Sequence, residues 1–370
     1  MRLIARAATA LGILLAASFL QPVTAQDARR ITIVVPYPPG GPTDAAARVV
    51  GEHIGATLGQ TVVIENISGG GGTMAVIRVT QSPPDGTTLL MHQLALAANA
   101  TLLKLPFDTG KDLTGVALVN YSPMVLIGRN TLAATSMTEL VGWIKQQGAN
   151  VKFAHAGSGT LAHLCAAIFA HSIGTPITMV PYRGGAPALT DTLAGHTDLY
   201  WSAPSTAVEQ IRGKLIKAFA VTGTQSMAAL PDVPSAVALG YKDLDVQFWQ
   251  GLFAPVATPK PVIDRLNAAV QLALVDAKVV KSFADTGMTA FGKSELAPET
   301  ATAKLHSEIK RWAEVIHANK IDAAQLVANN FGLAAAARTT RPHFSVSVCI
   351  SLANSTGVPV SGSPPVSARI

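Results

Sequence analysis

Four times along this chain a short run of β-favouring residues breaks into a glycine-rich turn and reopens with helical spacing. That recurrence restricts the fold more than any other feature. In the first unit, Ile31 to Val35 is followed by Pro36, Pro38, Pro39, Gly40, Gly41 and Pro42, then by Ala45 to Gly55 with Val49, Val50 and Ile54 on one side. Prolines at that density end a strand and bar a helix, so the chain must turn. The second unit is Thr61 to Glu65, Asn66 to Gly72, and Thr73 to Gln81. The third is Val151 to His155, Ala156 to Thr160, and Leu161 to Gly174; the fourth is Thr178 to Pro181, Tyr182 to Ala186, and Pro187 to Gly195. Strands alternating with helices predict mostly parallel sheets flanked by helices, an α/β class. Each turn aims free backbone N–H groups past a sheet edge, where the helix dipole favours negative charge. Any one unit alone also reads as an ordinary connecting loop.

Between and after these units the spacing predicts strands at Thr87 to His92, Val116 to Val119, Met124 to Ile127, Asp198 to Ser202, Ala218 to Thr222 and Phe248 to Ala254. Ser136 with Glu139 three positions on has the spacing of a capping box. Helices are expected over Thr206 to Gly213, Val262 to Leu274, Ala277 to Asp285 and Glu299 to Asn319. The pattern restarts near Arg129, so two lobes are expected: residues 26–129 plus 253–321, and residues 130–252. More than one crossover between lobes would leave a ligand cleft between them.

Residues 1–25 read as a secretory leader. Arg2 and Arg6 precede an apolar stretch from Ala7 to Leu20, and Val23-Thr24-Ala25 fits cleavage after Ala25. The expected location is therefore periplasmic. Residues 322–370, rich in Ala, Ser, Val, Thr and Pro with no acidic residue after Asp322, read as a disordered or loosely attached tail. Setting aside the leader's two arginines and the tail's three arginines and one aspartate leaves 23 basic and 21 acidic residues from the totals of 28 and 22. That near-neutral balance, with no basic run interleaved with aromatics, argues against nucleic acid. No apolar run long enough to span a membrane follows the first 30 residues. Cys165, one of two cysteines, sits in the apolar stretch LAHLCAAIFA and reads as a buried structural thiol.

Several chemistries fail on spacing. The glycines at 69–72 lack the Lys-Ser/Thr of a phosphate loop; Thr73-Met74 stands there instead. Gly157 to Ala162 fits a dinucleotide GxGxxA pattern, but the next strand ends Val180-Pro181-Tyr182 without the acidic residue that would take the ribose. No cofactor is therefore expected. The nine histidines are scattered with no metal-ligand spacing. Ser158, His163 and Asp191 supply the residue types of an exported hydrolase, but the order Ala-Gly-Ser-Gly-Thr is not a nucleophile elbow. His163 is more simply a first-turn helix residue. Asp44 reads as a first-turn acid that complements the dipole and ties down its loop.

Pro36 to Asp44 (PYPPGGPTD), Glu65 to Ala75 (ENISGGGGTMA), PDGTTLLM, Val180 to Ala188 (VPYRGGAPA), Pro231 to Pro234 and Phe248 to Leu266 (FWQGLFAPVATPKPVIDRL) occur in that order. Together they resemble the Bug-type substrate-binding proteins of tripartite tricarboxylate transporters, over about Ile31 to Ile321. The tail has no counterpart in that family. The resemblance implies a two-lobed periplasmic-binding-protein fold, type II-like, each lobe a mostly parallel sheet flanked by helices. It implies a non-enzymatic, monomeric receptor for a small organic acid: a di- or tricarboxylate, an acidic amino acid or an aromatic acid. The acid would be handed to membrane permease subunits, or sensed without a dedicated transporter. The candidate ligand contacts are Tyr37, Pro39, Gly40, Gly41, Thr43, Gly70, Gly71, Ser158, Gly159, Thr160, Tyr182, Asp198 and Trp249. Gly41 is expected to need backbone freedom close to the ligand. Trp249 would wall the pocket or fill the lobe interface, and Asp198 would order the facing loop or simply begin a strand. Arg183 is the one cation in these loops, read as a carboxylate partner or as a solvated loop residue.

Overall fold

The strand–turn–helix units build two separate sheets. The computed structural model describes residues 30–319 and 321; the leader and the tail lie outside them. β1 (Ile31–Val35), β2 (Val62–Asn66) and β3 (Thr88–Gln93) pair in parallel, in the order β2-β1-β3. β1 is buried at every position, as a strand covered on both faces must be. The helices that cross between them are α1 (Pro42–Leu58) and α2 (Thr73–Thr80), and α3 (Ala95–Leu102) follows β3. α1 starts three residues before the sequence predicts, because Pro42 fits the first helical position, where no N–H is needed. It stops at Gly59, whose φ of 63° is a left-handed cap. α3 was not predicted, since its alanines and leucines bury almost all round and leave no polar face to read.

The second sheet repeats the plan. β6 (Lys152–His155) pairs in parallel with β7 (Thr178–Pro181) and β8 (Leu199–Ser202). β5 (Val125–Arg129) and β9 (Ile216–Val221) extend it antiparallel beyond β8, in the order β7-β6-β8-β5-β9. Its helices are α4 (Met137–Gln147), α5 (Leu161–Ile173), α6 (Gly185–Leu193) and α7 (Pro204–Arg212). The capping box forms at α4: Ser136 Oγ accepts from the Glu139 N–H, and Glu139 accepts from the Thr135 N–H at 2.8 Å.

The chain then returns to the first sheet. β4 (Leu113–Ser122), β10 (Phe248–Pro255) and the short β11 (Thr289–Ala290) complete the order β11-β4-β10-β3-β1-β2. α8 (Lys260–Val275), α9 (Ala277–Asp285) and α10 (Pro298–Ala318) follow β10. The two sheets thus exchange chain at residues 123–124 and again over 222–247, making an α/β two-lobed architecture. The expected crossings at 129/130 and 252/253 were each a strand late: β5 already belongs to the second sheet and β10 opens in the first at Phe248.

α10 closes the first lobe by pressing on β4 at Gly115. The Gly115 N–H donates to Thr302 Oγ1 at 2.9 Å, and a Cβ there would lie 2.6 Å from Ala301 Cβ and 2.7 Å from the Thr302 nitrogen. Gly115→Val should therefore cost about 2 kcal/mol through overpacking. Urea unfolding should show a lower midpoint at unchanged slope; an unchanged midpoint would show that α10 can lift off without loss.

Candidate functional site

Parallel strands all end at one edge of a sheet, and the helices that follow must begin there. Here both edges face one cleft. Tyr37, Gln93, Ala156 and Ala203, just at or beyond the ends of β1, β3, β6 and β8, line a single cavity. So do the starts of four helices: Pro42 and Thr43 of α1, Leu161 and Ala162 of α5, Gly185 of α6, and Ala203, which caps α7. The first-turn N–H groups of each helix have no partner within the helix. Each helix start carries about half a positive charge, worth up to about 2 kcal/mol to a partly buried anion.

The cleft is closed. A Cβ on Gly159 would fall 1.7 Å from Asn99 Oδ1 of α3, and one on Gly71 would fall 2.8 Å from the Ser158 carbonyl oxygen. Only glycine permits these approaches between the lobes. On the other flank Gly184 rests on Pro38, and Gly185 on Pro42. The cavity left between them is small, about 20 Å³. A larger groove of about 710 Å³ lies elsewhere, framed by irregular backbone at 222–229, the C-terminal end of α9, and Arg311. The convergence of strand ends and helix starts distinguishes the smaller cavity.

No charged side chain lines that cavity. Its polar groups are the hydroxyls of Tyr37, Thr43, Thr160 and Tyr200 and the amide of Gln93. Gln93 Nε2 donates to Tyr37 Oη at 3.0 Å, and Gln250 Nε2 to Thr43 Oγ1 at 3.2 Å. Thr160 caps α5: its hydroxyl donates to the Gly157 carbonyl at 2.7 Å and accepts from the His163 N–H. Burial pushes the phenols of Tyr37 and Tyr200 up, so both remain donors.

Asp44 holds the first turn in place. Its carboxylate accepts from the Gly40 N–H at 2.9 Å, from Arg48 at 2.9 Å through two nitrogens, and from Asn66 Nδ2 at 3.0 Å; Asn66 Nδ2 also donates to the Tyr37 carbonyl. Burial raises the carboxyl pKa, but Arg48, Gly40 and Asn66 outweigh it and hold it below the usual range.

Of the predicted contacts, Tyr37, Thr43 and Thr160 line the cavity, and Gly71, Ser158 and Gly159 form the closing seam beside it. Pro39 and Gly40 lie exposed on the rim, and the Gly40 N–H is already taken by Asp44. Gly41 caps α1 with an ordinary φ of −82°, and a Cβ there would meet only the Pro38 carbonyl at 3.7 Å, so no special conformation is required of it. Gly70 is exposed, its carbonyl accepting from the Thr73 hydroxyl.

Three of the candidate contacts lie outside this cavity. Asp198 precedes β8 at the edge away from the cleft, where it accepts from Arg129 Nε and the Lys152 N–H at 2.8 Å each. Trp249 alternates away from Phe248 and Gln250 along β10; it is buried under α10, its indole N–H donating to Glu308 at 3.3 Å. Tyr182 donates its hydroxyl to Asp191 at 2.6 Å and does not line the cavity. Arg183 is exposed. The residues missed from sequence are Pro42, Gln93, Met124, Ala156, Leu161, Ala162, Gly185, Tyr200, Ala203 and Phe248. The rule that ligands meet parallel strands at their C-terminal ends would have found Gln93 and Ala203.

The hydrolase triad is not assembled. Asp191 is engaged by Tyr182 and His196, and among the described residues no hydrogen bond joins Ser158 to His163. His163 instead packs against His155, with ring centroids 4.7 Å apart and the rings tilted by 48°. Burial depresses His155 to about 4 and His163 to about 3, the latter also through His155, and burial takes His92 to about 4. Among the described residues no group of His, Cys, Asp and Glu could hold a metal, and no helix is long and apolar enough to cross a membrane.

The profile described as "Tripartite tricarboxylate transporter family receptor" matches residues 46–321. The chain belongs to that family. BugT of Bordetella pertussis is 33% identical over 312 residues, covering 83% of this chain and 95% of BugT. The periplasmic binding protein BugD has 33% identity and a TM-score of 0.77, covering 80% of this chain and 98% of BugD. MatC of Rhodopseudomonas palustris, solved with bound malate, has 34% identity and a TM-score of 0.75, covering 78% of this chain and 99% of MatC. As in the rest of its family, the chain is a solute receptor and not an enzyme.

Two outcomes follow from this geometry. Gly159→Ala should hold the lobes apart through the clash with Asn99, weakening ligand binding at least roughly tenfold while the fold stays intact. Titration calorimetry with circular dichroism as the folding control tests this; unchanged affinity would mean that closure does not use this seam. Below about pH 6.5 the unfolded chain protonates its histidines while the folded chain resists until about 4 or 3 at these three positions. The unfolded state then binds more protons, so their contribution is complete above about pH 6.5 and drains away as pH falls towards 4. Melting temperature should drop between about pH 7 and 5, with a shallower slope in His163→Leu; equal slopes would remove this pair as the cause.

Proposed function

We propose that this protein is an extracytoplasmic receptor that holds a small organic carboxylate in the inter-lobe cleft and delivers it to a permease of the tripartite tricarboxylate type. The observation that carries the reading is the convergence of four helix starts on one neutral cavity. Each contributes up to about 2 kcal/mol to a buried anion, enough together to offset much of the desolvation of a single carboxylate. The N–H groups of Thr43, Leu161, Ala162 and Gly185 and the hydroxyls of Tyr37, Thr43 and Tyr200 are the proposed donors. Gly71, Ser158 and Gly159 act as the closing seam. Malate in MatC and the periplasmic setting of BugD support the ligand class and the location. The protein acts as a monomer in the periplasm once the leader is removed after Ala25.

A ligand that binds only the folded form stabilises it by about 2.7 kcal/mol at roughly a hundredfold excess over Kd. In a chain this large that is a rise of a few degrees in melting temperature. The test is a panel of dicarboxylates, tricarboxylates, acidic amino acids and aromatic acids, each paired with its amide, on protein stripped of ligand. At least one acid should raise the melting temperature, its amide should not, and the radius of gyration should shrink on binding. Because the donors are neutral and buried, affinity should fall only modestly with salt. No response to any acid, or an equal response to the amides, would contradict the reading.

A further inference from the structure

Resting on the reading that the acid is held between lobes that open and close, we propose a control device on the far side of the crossings. The larger groove is the space into which the lobes swing when the cleft opens. Met227 against Gly287 is the stop that sets the balance between open and closed receptor.

The two crossings stand between the groove and the ligand cavity. Met124 and Phe248 line the cavity, while their chain neighbours Pro123 and Gln247 line the groove. The crossings are also tied to each other. The Thr222 N–H donates to the Met124 carbonyl, and the Met124 N–H donates to Thr222 Oγ1, each at 2.9 Å. Together they form a narrow wall where the chain passes between the sheets. A rotation about that wall that parts the lobes on the cavity side brings them together on the groove side. Cleft and groove therefore change width in opposite senses.

Each side of the groove belongs to one lobe. Residues 222–229 are held to the second lobe: the Ala229 carbonyl accepts from Arg212 of α7 at 3.3 Å, and the Ala236 N–H donates to the Val221 carbonyl of β9 at 2.7 Å. The other side is the first lobe's, with Ala284 in the last turn of α9, Gly287 just beyond it, and Arg311 of α10. Arg311 also donates to the Asp245 carbonyl at 2.9 Å, which pins the second crossing to α10. With the cleft closed the groove keeps about 710 Å³. Where its sides meet, Met227 lies against Gly287. A Cβ on Gly287 would overlap the end of the Met227 side chain and come within 2.9 Å of Pro204 Cβ. The lobes thus already touch here, and opening presses them together. Methionine suits such a stop, because an unbranched side chain with three rotatable bonds yields by degrees. A receptor whose closed form is only fractionally populated binds with an affinity reduced by that fraction, so the stop acts on affinity from outside the cavity.

The experiment is small-angle X-ray scattering on the full mature chain stripped of ligand, followed by calorimetry with malate, succinate, adipate and benzoate. Ala228→Trp and Ala284→Trp add bulk at exposed positions on opposite sides of the groove, and neither residue lines the cavity. Each folded tryptophan variant should have a smaller ligand-free radius of gyration than the wild type. It should also bind any acid that the wild type binds at least roughly threefold more tightly. Met227→Ala removes the stop and should weaken the same acid by a similar factor. Damage to the fold would not give opposite signs at adjacent positions 227 and 228. An unchanged or larger ligand-free radius in the folded tryptophan variants overturns the proposal, as does weaker binding in them or tighter binding in Met227→Ala. The radius is read without ligand. Failure of every acid to bind would therefore contradict the carboxylate reading, while the scattering still decides this one.

Discussion

A helix cannot satisfy the N–H groups of its own first turn, and much of this structure is a response to that fact. Parallel strands oblige each following helix to start at the same sheet edge. Two sheets facing one another then bring four such starts to one cavity. Those donors need water or an anion, so the fold creates a preference for negative charge before any side chain is chosen. Under the proposed reading, this is how a receptor with an almost neutral charge balance holds an acid without lysine or arginine in its cleft.

The side chains around the cavity shape this backbone field. Asp44 spends its carboxylate on Gly40, Arg48 and Asn66, so the first turn is held by an internal anion that never enters the cavity. Asn66 ties the same cluster to the Tyr37 carbonyl. The glycines of the seam have a different task. At Gly71 and Gly159 the opposite lobe comes closer than a Cβ allows, so a side chain at either position would hold the lobes apart.

The α/β class and the strand–turn–helix units were legible in the sequence because proline and glycine punctuate them so densely. Long, periodic helices such as α8 and α10 were also legible. α3 was not, since a helix buried on most sides has no amphipathic period. The crossings were misplaced because β5 and β10 each read as a continuation of the preceding lobe, and only hydrogen bonding to the other sheet assigns them. Within the site, the turn residues were found by composition. The strand ends were missed because Gln93 and Tyr200 carry no local signal. Asp198 and Trp249 were drawn in by chemistry that looked fit for a ligand. Strand direction puts Asp198 at the wrong edge, and alternation puts Trp249 on the wrong face.

The most direct test of the account is a crystal structure of the protein with an acid that it binds. The carboxylate should lie within hydrogen-bond distance of the N–H groups at the starts of α1 and α5 and of the Tyr37 or Tyr200 hydroxyl, with no cationic side chain in contact. A carboxylate paired with Arg183, or an acid seated in the groove at 222–229, would contradict it.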